Sequence, residues 1–422
     1  MVQATRERTD DTFRFNPFAG DYLADPYPTF RYMRENHRVY KYRTLSDDEW
    51  VLTRYEDIRQ VLTDKRFLVQ KLGDRVAQKI PFMPRDSETM RALSQNIGSW
   101  LFFVDPPDHT RMRHVVSRDF TASAVNRVRP TIEAFVDAAF DRLRRDGGMD
   151  LMAVLARPLP AVVAAALLGL HTDRMHELIE CSEHLFSIFE QPISFDGYRR
   201  MADASARFSA FFEEEFARRA GRPPENDLLG KLLATCGNEI TTAELISFSA
   251  MLFAVGQETT ENYIGNSVHA LLSHPDQFAL LRAEPGLIPK AALELARYDS
   301  AVQFVVRIPT EDITIGDATL RRGDLVYMAL GAANRDPGEF EAPDRLDLKR
   351  TETSNLPFGS GIHFCLGSAL ARLQVEIVLE RLVRWPHLRI DTSRLERRRT
   401  ILLRGLRSMH VHVAPHDAGA AA

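Results

Sequence analysis

The spacing of apolar positions changes twice along this 422-residue chain. Near its start, Tyr27 to Glu35 carries apolar residues at helical intervals. Val39 to Tyr42 and Trp50 to Thr53 then alternate like paired strands across the polar run LSDDE, residues 45–49. Through the centre the period is helical. Arg129 to Leu170 is rich in Ala, Leu, Arg and Asp at that spacing, and further helical segments reach Leu233. Short strand patterns return late, at Val302 to Ile308, Leu325 to Leu330 and Met409 to Val413. The pattern predicts a mostly α protein with a minor β region at both ends of the chain. No repeat or low-complexity linker divides it, so residues 1–422 read as one domain, with about 1–15 and 415–422 as flexible tails.

The longest predicted helix opens behind Thr241, which forms a capping box with Glu244, and closes at His274-Pro275. At 1.5 Å per residue it measures about 48 Å, long enough to run through a core. Its midpoint reads Val255-Gly256-Gln257-Glu258-Thr259-Thr260. A Gly inside a helix costs about 1 kcal/mol against Ala, and Thr hydroxyls can bond back to the preceding turn. A kink or bulge with a polar notch is the expectation there.

Composition narrows the class without naming it. The chain is 45% hydrophobic and 27% charged, with a net charge of −4. That suits a globular protein with a large core and argues against a general nucleic-acid binder, which carries a basic excess. Three scattered cysteines, Cys181, Cys236 and Cys365, fit a reduced compartment better than a disulfide scaffold. The polar N-terminus lacks a signal-peptide core, and no run approaches the roughly 20 apolar residues of a membrane span. A cytoplasmic protein without a membrane anchor is the expectation.

The densest chemistry is the run Phe358-Gly359-Ser360-Gly361-Ile362-His363-Phe364-Cys365-Leu366-Gly367. Two glycines before a cysteine permit a tight loop that approaches a flat ligand, and the helical pattern that follows puts Cys365 at a helix N-terminus, where thiolate is favoured. A lone cysteine is often only a small buried hydrophobe. Ten residues of context set this one apart.

This segment resembles the haem-binding signature of the cytochrome P-450 family at each of its fixed positions. The resemblance implies that Cys365 is the axial iron ligand, a thiolate that pushes electron density toward O–O cleavage. Phe358 then lies beside the sulfur and Gly367 beside the cofactor. It also implies the family fold, a triangular prism with haem between the long central helix and the cysteine loop.

Three further matches extend the resemblance. Glu294-Leu295-Ala296-Arg297 places Glu294 and Arg297 on one helix face. Alone that is a common surface pair. Ahead of Asn334-Arg335-Asp336 and Pro343-Asp344-Arg345 it resembles the family's structural ExxR network. Glu258 and Thr259 match the acid–alcohol pair that delivers protons to iron-bound dioxygen. Asp105-Pro106-Pro107-Asp108-His109 begins a segment whose His109 and Arg113 share a helix face. With Arg307 and His363 they are the implied partners of the two haem propionates, through charge-assisted hydrogen bonds worth roughly 1.5–3 kcal/mol each.

The implied activity is that of a haem-thiolate monooxygenase, inserting one atom of O2 into a hydrophobic small molecule by hydroxylation or epoxidation, in secondary-metabolite tailoring. The cofactor is haem b, held non-covalently because no CxxCH motif is present. No dinucleotide or flavin motif is evident, so electrons come from NAD(P)H through a ferredoxin or flavodoxin and its reductase. Arg111, Arg118 and Arg372 are candidates for a basic docking patch. A monomer is expected, with no nucleic-acid partner. The candidate substrate pocket comprises Trp100, Leu101, Phe103, Met251, Ala254, Val255, Val302 and Leu402. Val255 departs from the Ala or Gly usual in the family and should narrow the space above the iron. The competing readings are a non-catalytic partner protein, which would lack the cysteine, and a peroxide-driven peroxygenase, which would lack the acid–alcohol pair. A haem gas sensor would need an added signalling domain.

Overall fold

A computed structural model describes residues 13–43, 48–69, 74–171, 173–189, 193–222, 227–237 and 239–413. Most of the turn expected at residues 45–49 and the whole C-terminal tail lie outside them. Of the stretch expected as an N-terminal tail, residues 13–15 are described. Phe15 among them is buried, with its ring against those of Tyr22 and Tyr42.

Helix α1 spans Tyr27–Asn36, with Pro28 in its first turn, where a missing N–H costs nothing. Strands β1 (Val39–Arg43) and β2 (Asp48–Leu52) pair antiparallel. They join β3 (Phe67–Leu68), β5 (Phe304–Pro309) and β6 (Leu325–Ala329) in a five-stranded sheet of order β1-β2-β6-β5-β3. Chain regions some 270 residues apart thus form one sheet. A second sheet joins β4 (Gly148–Asp150), β7 (Leu388–Arg397) and β8 (Leu406–Val413) in the order β4-β8-β7. Alternation did not reveal β7, because its exposed face carries Arg and Glu and only its ends are apolar.

The central segment splits where sequence spacing read one helical run. Helix α3 (Arg129–Asp146) stops at Gly147, which takes φ +71° as a left-handed cap. After β4, a π-turn at Met152–Ala156 leads into α4 (Pro158–Leu168). Helix α2 (Asp108–Asp119) precedes these, and α5 (Phe195–Arg219) follows.

Helix α6 spans Thr242–Ser273 behind the expected capping box, with Thr241 and Glu244 bonding reciprocally. It is buried almost all round, and residues of α4, α5 and α7 (Ile288–Tyr298) pack against it. Helix α8 (Ser368–Leu382) follows the cysteine loop and lies against α3, α6 and α7. Among the described residues, no helix is long and apolar enough to cross a membrane.

Candidate active site

Cys365 is set by its loop. Gly359 and Gly361 both take φ +71°, and a Cβ on Gly361 would lie 2.5 Å from the Leu62 carbonyl oxygen. Only glycine fits there. The Cys365 N–H donates to the Phe358 carbonyl at 3.0 Å, closing the turn, and α8 begins three residues later. The sulfur is deep inside the protein yet keeps accessible area, because it faces an internal cavity of about 340 Å³. Burial pushes the thiol up, opposed by a hydrogen bond from the Gly367 N–H and by the Arg113 charge. The helix N-terminus expected to favour thiolate is therefore present, but burial outweighs it in the free thiol.

Helix α6 forms one wall. Val255, Gly256, Thr259 and Thr260 line the cavity, and a Cβ on Gly256 would meet nothing within 4 Å. The bulge expected here is absent, since α6 runs through 255–260 as unbroken α-helix. The Thr259 hydroxyl bonds back into the preceding turn, donating to the Val255 carbonyl at 2.9 Å. The missing side chain of Gly256, not a distorted backbone, makes the notch.

The structure separates the two members of the acid–alcohol pair. Thr259 faces the cavity, whereas Glu258 turns to Arg398, just beyond β7, at 2.8 Å. The same guanidinium reaches Glu261 at 2.8 Å. Arg398 gave no sequence signal, because its partners lie about 140 residues away.

Four basic side chains converge on the cavity from three elements. His109 and Arg113 come from α2, Arg307 from β5, and His363 from the cysteine loop. The His109 and His363 ring centroids are 4.4 Å apart. Arg113 donates to the Phe364 carbonyl at 2.7 Å and Arg307 to the Val306 carbonyl at 2.9 Å. Neither arginine forms an ion pair among the described residues. His109 Nε2 is buried without a hydrogen-bond partner. Burial and neighbouring cations hold His109 down at about 4 and His363 at about 3, while burial pushes Arg307 down to about 10. A ligand carrying two carboxylates beside Cys365 would relieve all of these costs. This donor set fits a haem with its propionates.

Below the site, Glu294 and Arg297 form a bidentate pair at 2.7 and 2.8 Å, with Arg297 fully buried. Arg297 also donates to the carbonyls of Asn334, Pro343 and Arg345. Arg350 joins at 3.2 Å from Glu294, a member that sequence spacing missed.

The expected pocket residues divide. Leu101, Met251, Val255 and Val302 line the cavity facing Cys365, with Phe358 and Gly367. Phe103 and Leu402 line an adjoining chamber of about 210 Å³. Trp100 and Ala254 line neither. Both are fully buried in the packing around α6, and the Trp100 indole donates to the Asn96 side chain at 3.2 Å. The three candidate docking arginines each hold a carboxylate neighbour, Arg111 with Glu244, Arg118 with Glu239 and Arg372 with Glu376. An exposed cation so paired offers little charge to a partner.

Comparison with known proteins agrees with this geometry. The family model described as Cytochrome P450 matches residues 25–404. The chain is 38% identical over 401 residues to Cytochrome P450 107B1 of Saccharopolyspora erythraea, covering 93% of this chain and 96% of that one. It is 32% identical over 398 residues to 6-deoxyerythronolide B hydroxylase of the same organism, covering 92% and 96%. The crystal structure of CalO2 superposes with a TM-score of 0.87 at 32% identity, covering 95% of this chain and 99% of that one. A cysteine loop, a central helix and a basic rim in this arrangement, with such relatives along nearly the whole chain, place the protein in the cytochrome P450 family, as a monooxygenase.

Proposed function

We propose that this monooxygenase uses Cys365 as the ligand of a non-covalently held haem b, with His109, Arg113, Arg307 and His363 on its propionates. The observation that carries this reading is a basic rim that makes no ion pair among the described residues, beside a cavity-facing cysteine. When bound, the haem supplies a thiolate-ligated iron at which dioxygen is activated. The protein's own groups do the rest. Gly256 and Gly367 leave room on the two sides of the cavity, and Phe358 and Leu366 exclude water around the sulfur. The Thr259 hydroxyl, anchored on the Val255 carbonyl, presents its oxygen to the cavity and can accept and pass on a proton there. Glu258 resupplies that proton through water once its carboxylate swings from Arg398, which acts as its resting partner.

The substrate is a small molecule of secondary metabolism with a hydrophobic body, which is hydroxylated or epoxidised. The apolar lining supports this, as does likeness to an enzyme named for hydroxylating 6-deoxyerythronolide B. Electrons come from NAD(P)H through a ferredoxin or flavodoxin and its reductase, to a monomeric, single-domain protein in the cytoplasm. The carbon-monoxide difference spectrum of the dithionite-reduced protein tests the reading. A strongly red-shifted Soret band, lost in Cys365→Ala, is expected. A histidine-type spectrum, or a folded protein that takes up no haem, would instead favour a non-catalytic partner protein.

A further inference from the structure

The chamber of about 210 Å³ adjoins the cavity facing Cys365, and Phe102, Val255, Thr259, Val302, Val305 and Arg307 border both. Away from that junction its walls are apolar, built by side chains such as Phe103, Phe186, Phe189, Phe304 and Leu402. One lining cation is not part of the basic rim. Arg75 borders this chamber alone. It lies near Tyr198 of α5 and hydrogen-bonds the hydroxyl of Tyr327 on β6. That hydroxyl in turn donates to Glu49 at 3.4 Å. Arg75 has no carboxylate at ion-pair distance among the described residues, and one hydroxyl leaves most of its five N–H donors uncommitted.

Arg75 is half-buried, and away from the basic rim it is the cation that this mostly apolar lining offers among the described residues. We propose that Arg75 determines specificity by binding the carboxylate of an otherwise apolar acid, whose hydrocarbon body runs past Phe103 and Phe189 toward Thr259. The substrate class is then an amphipathic carboxylic acid rather than a neutral hydrocarbon or a base. A bidentate guanidinium–carboxylate pair fixes the acid end and leaves the apolar end free to reach the cavity over Cys365. The proposal deepens the monooxygenase reading and rests on it.

The test uses the haem-loaded protein and two probes with the same apolar body, dodecanoic acid and its methyl ester. Binding is followed by calorimetry and by the haem absorption shift at neutral pH. Wild type should bind the acid at least about tenfold more tightly than the ester, as one charge-assisted pair implies. Arg75→Gln should weaken the acid alone, bringing the two within about twofold, and Arg75→Lys should restore part of the preference. Equal affinities in wild type, no binding of either probe, or equal weakening of both in Arg75→Gln would overturn the proposal. The carbon-monoxide band of the same preparations separates the two readings. A normal band without acid preference rejects the role of Arg75 alone, whereas a missing band rejects the haem-thiolate assignment.

Discussion

Two clusters of buried basic side chains in this protein are treated in opposite ways. Around Glu294, the five N–H donors of Arg297 are all taken, two by Glu294 and three by carbonyls of Asn334, Pro343 and Arg345. Around the cavity, Arg113 and Arg307 each make one backbone hydrogen bond, and His109 Nε2 makes none. The first cluster is closed by the protein itself. The second is closed only by something the protein binds. Burying a charge without its partner is expensive, so an open cluster of this kind marks a ligand site and a closed one marks structure.

The comparison breaks most visibly at Arg297. Arg297→Ala leaves the buried Glu294 with Arg350 and the Asp347 N–H and takes a donor from the carbonyls of Asn334, Pro343 and Arg345, a loss of about 3–5 kcal/mol by the rule for broken buried pairs. That is a large share of the roughly 5–15 kcal/mol that holds a domain together. Urea unfolding of the haem-free protein should show it as a much lower midpoint, and an unchanged midpoint would undo the contrast.

Arg307→Gln sharpens it from the other side. Removing one of the proposed propionate partners should weaken haem retention by about 1.5–3 kcal/mol, or roughly tenfold to a hundredfold. Haem transfer to a competing apoprotein measures the loss. The haem-free protein should keep its stability or gain some, because a repelling cation has gone. A parallel loss of haem-free stability would show that Arg307 is structural after all.

Acid gives a smaller effect of defined sign. His109 titrates near 4 in the folded haem-free protein and near 6.5 when unfolded. Between those values the unfolded chain binds more protons, so stability declines as pH falls from about 6.5 to about 4. His269 is held down in the same way and adds to the slope. The difference between wild type and His109→Gln isolates the rim. Haem loading should shrink that difference, because propionates favour the charged imidazole.

Val255→Ala is the mildest change. Val255 borders both the cavity and the chamber, so trimming it should alter product ratios or coupling with little loss of stability. Product analysis with any accepted substrate reads this. Identical ratios would remove Val255 as the residue that restricts the reacting carbon.

Much of this site was legible beforehand wherever the chemistry is local in sequence. The cysteine loop needs positive φ at Gly359 and Gly361, and a helix must follow Cys365 at once. The capping box of α6 and the three-residue spacing of Glu294 and Arg297 are likewise written within one helical turn. Long-range partners were not legible. Arg350, Arg398 and Arg75 carry no periodic signal, because what gives each its role is a neighbour from a distant segment. Trp100 and Ala254 misled for the same reason, since an apolar side chain at the right place in the chain can face the core as easily as a cavity.

The amino-acid sequence by itself carried the family in its run at 358–367 and the central helix in its capping box and period, while resemblance to that family, not local geometry, pointed to Cys365 and the four basic residues proposed here for haem. The tertiary structure alone decided which side of α6 each polar group faces. Thr259 therefore meets the cavity while Glu258 meets Arg398. It also decided which charges find partners. Helix rotation and the return of β7 and β8 against α6 set those outcomes, and neither is encoded in any local spacing.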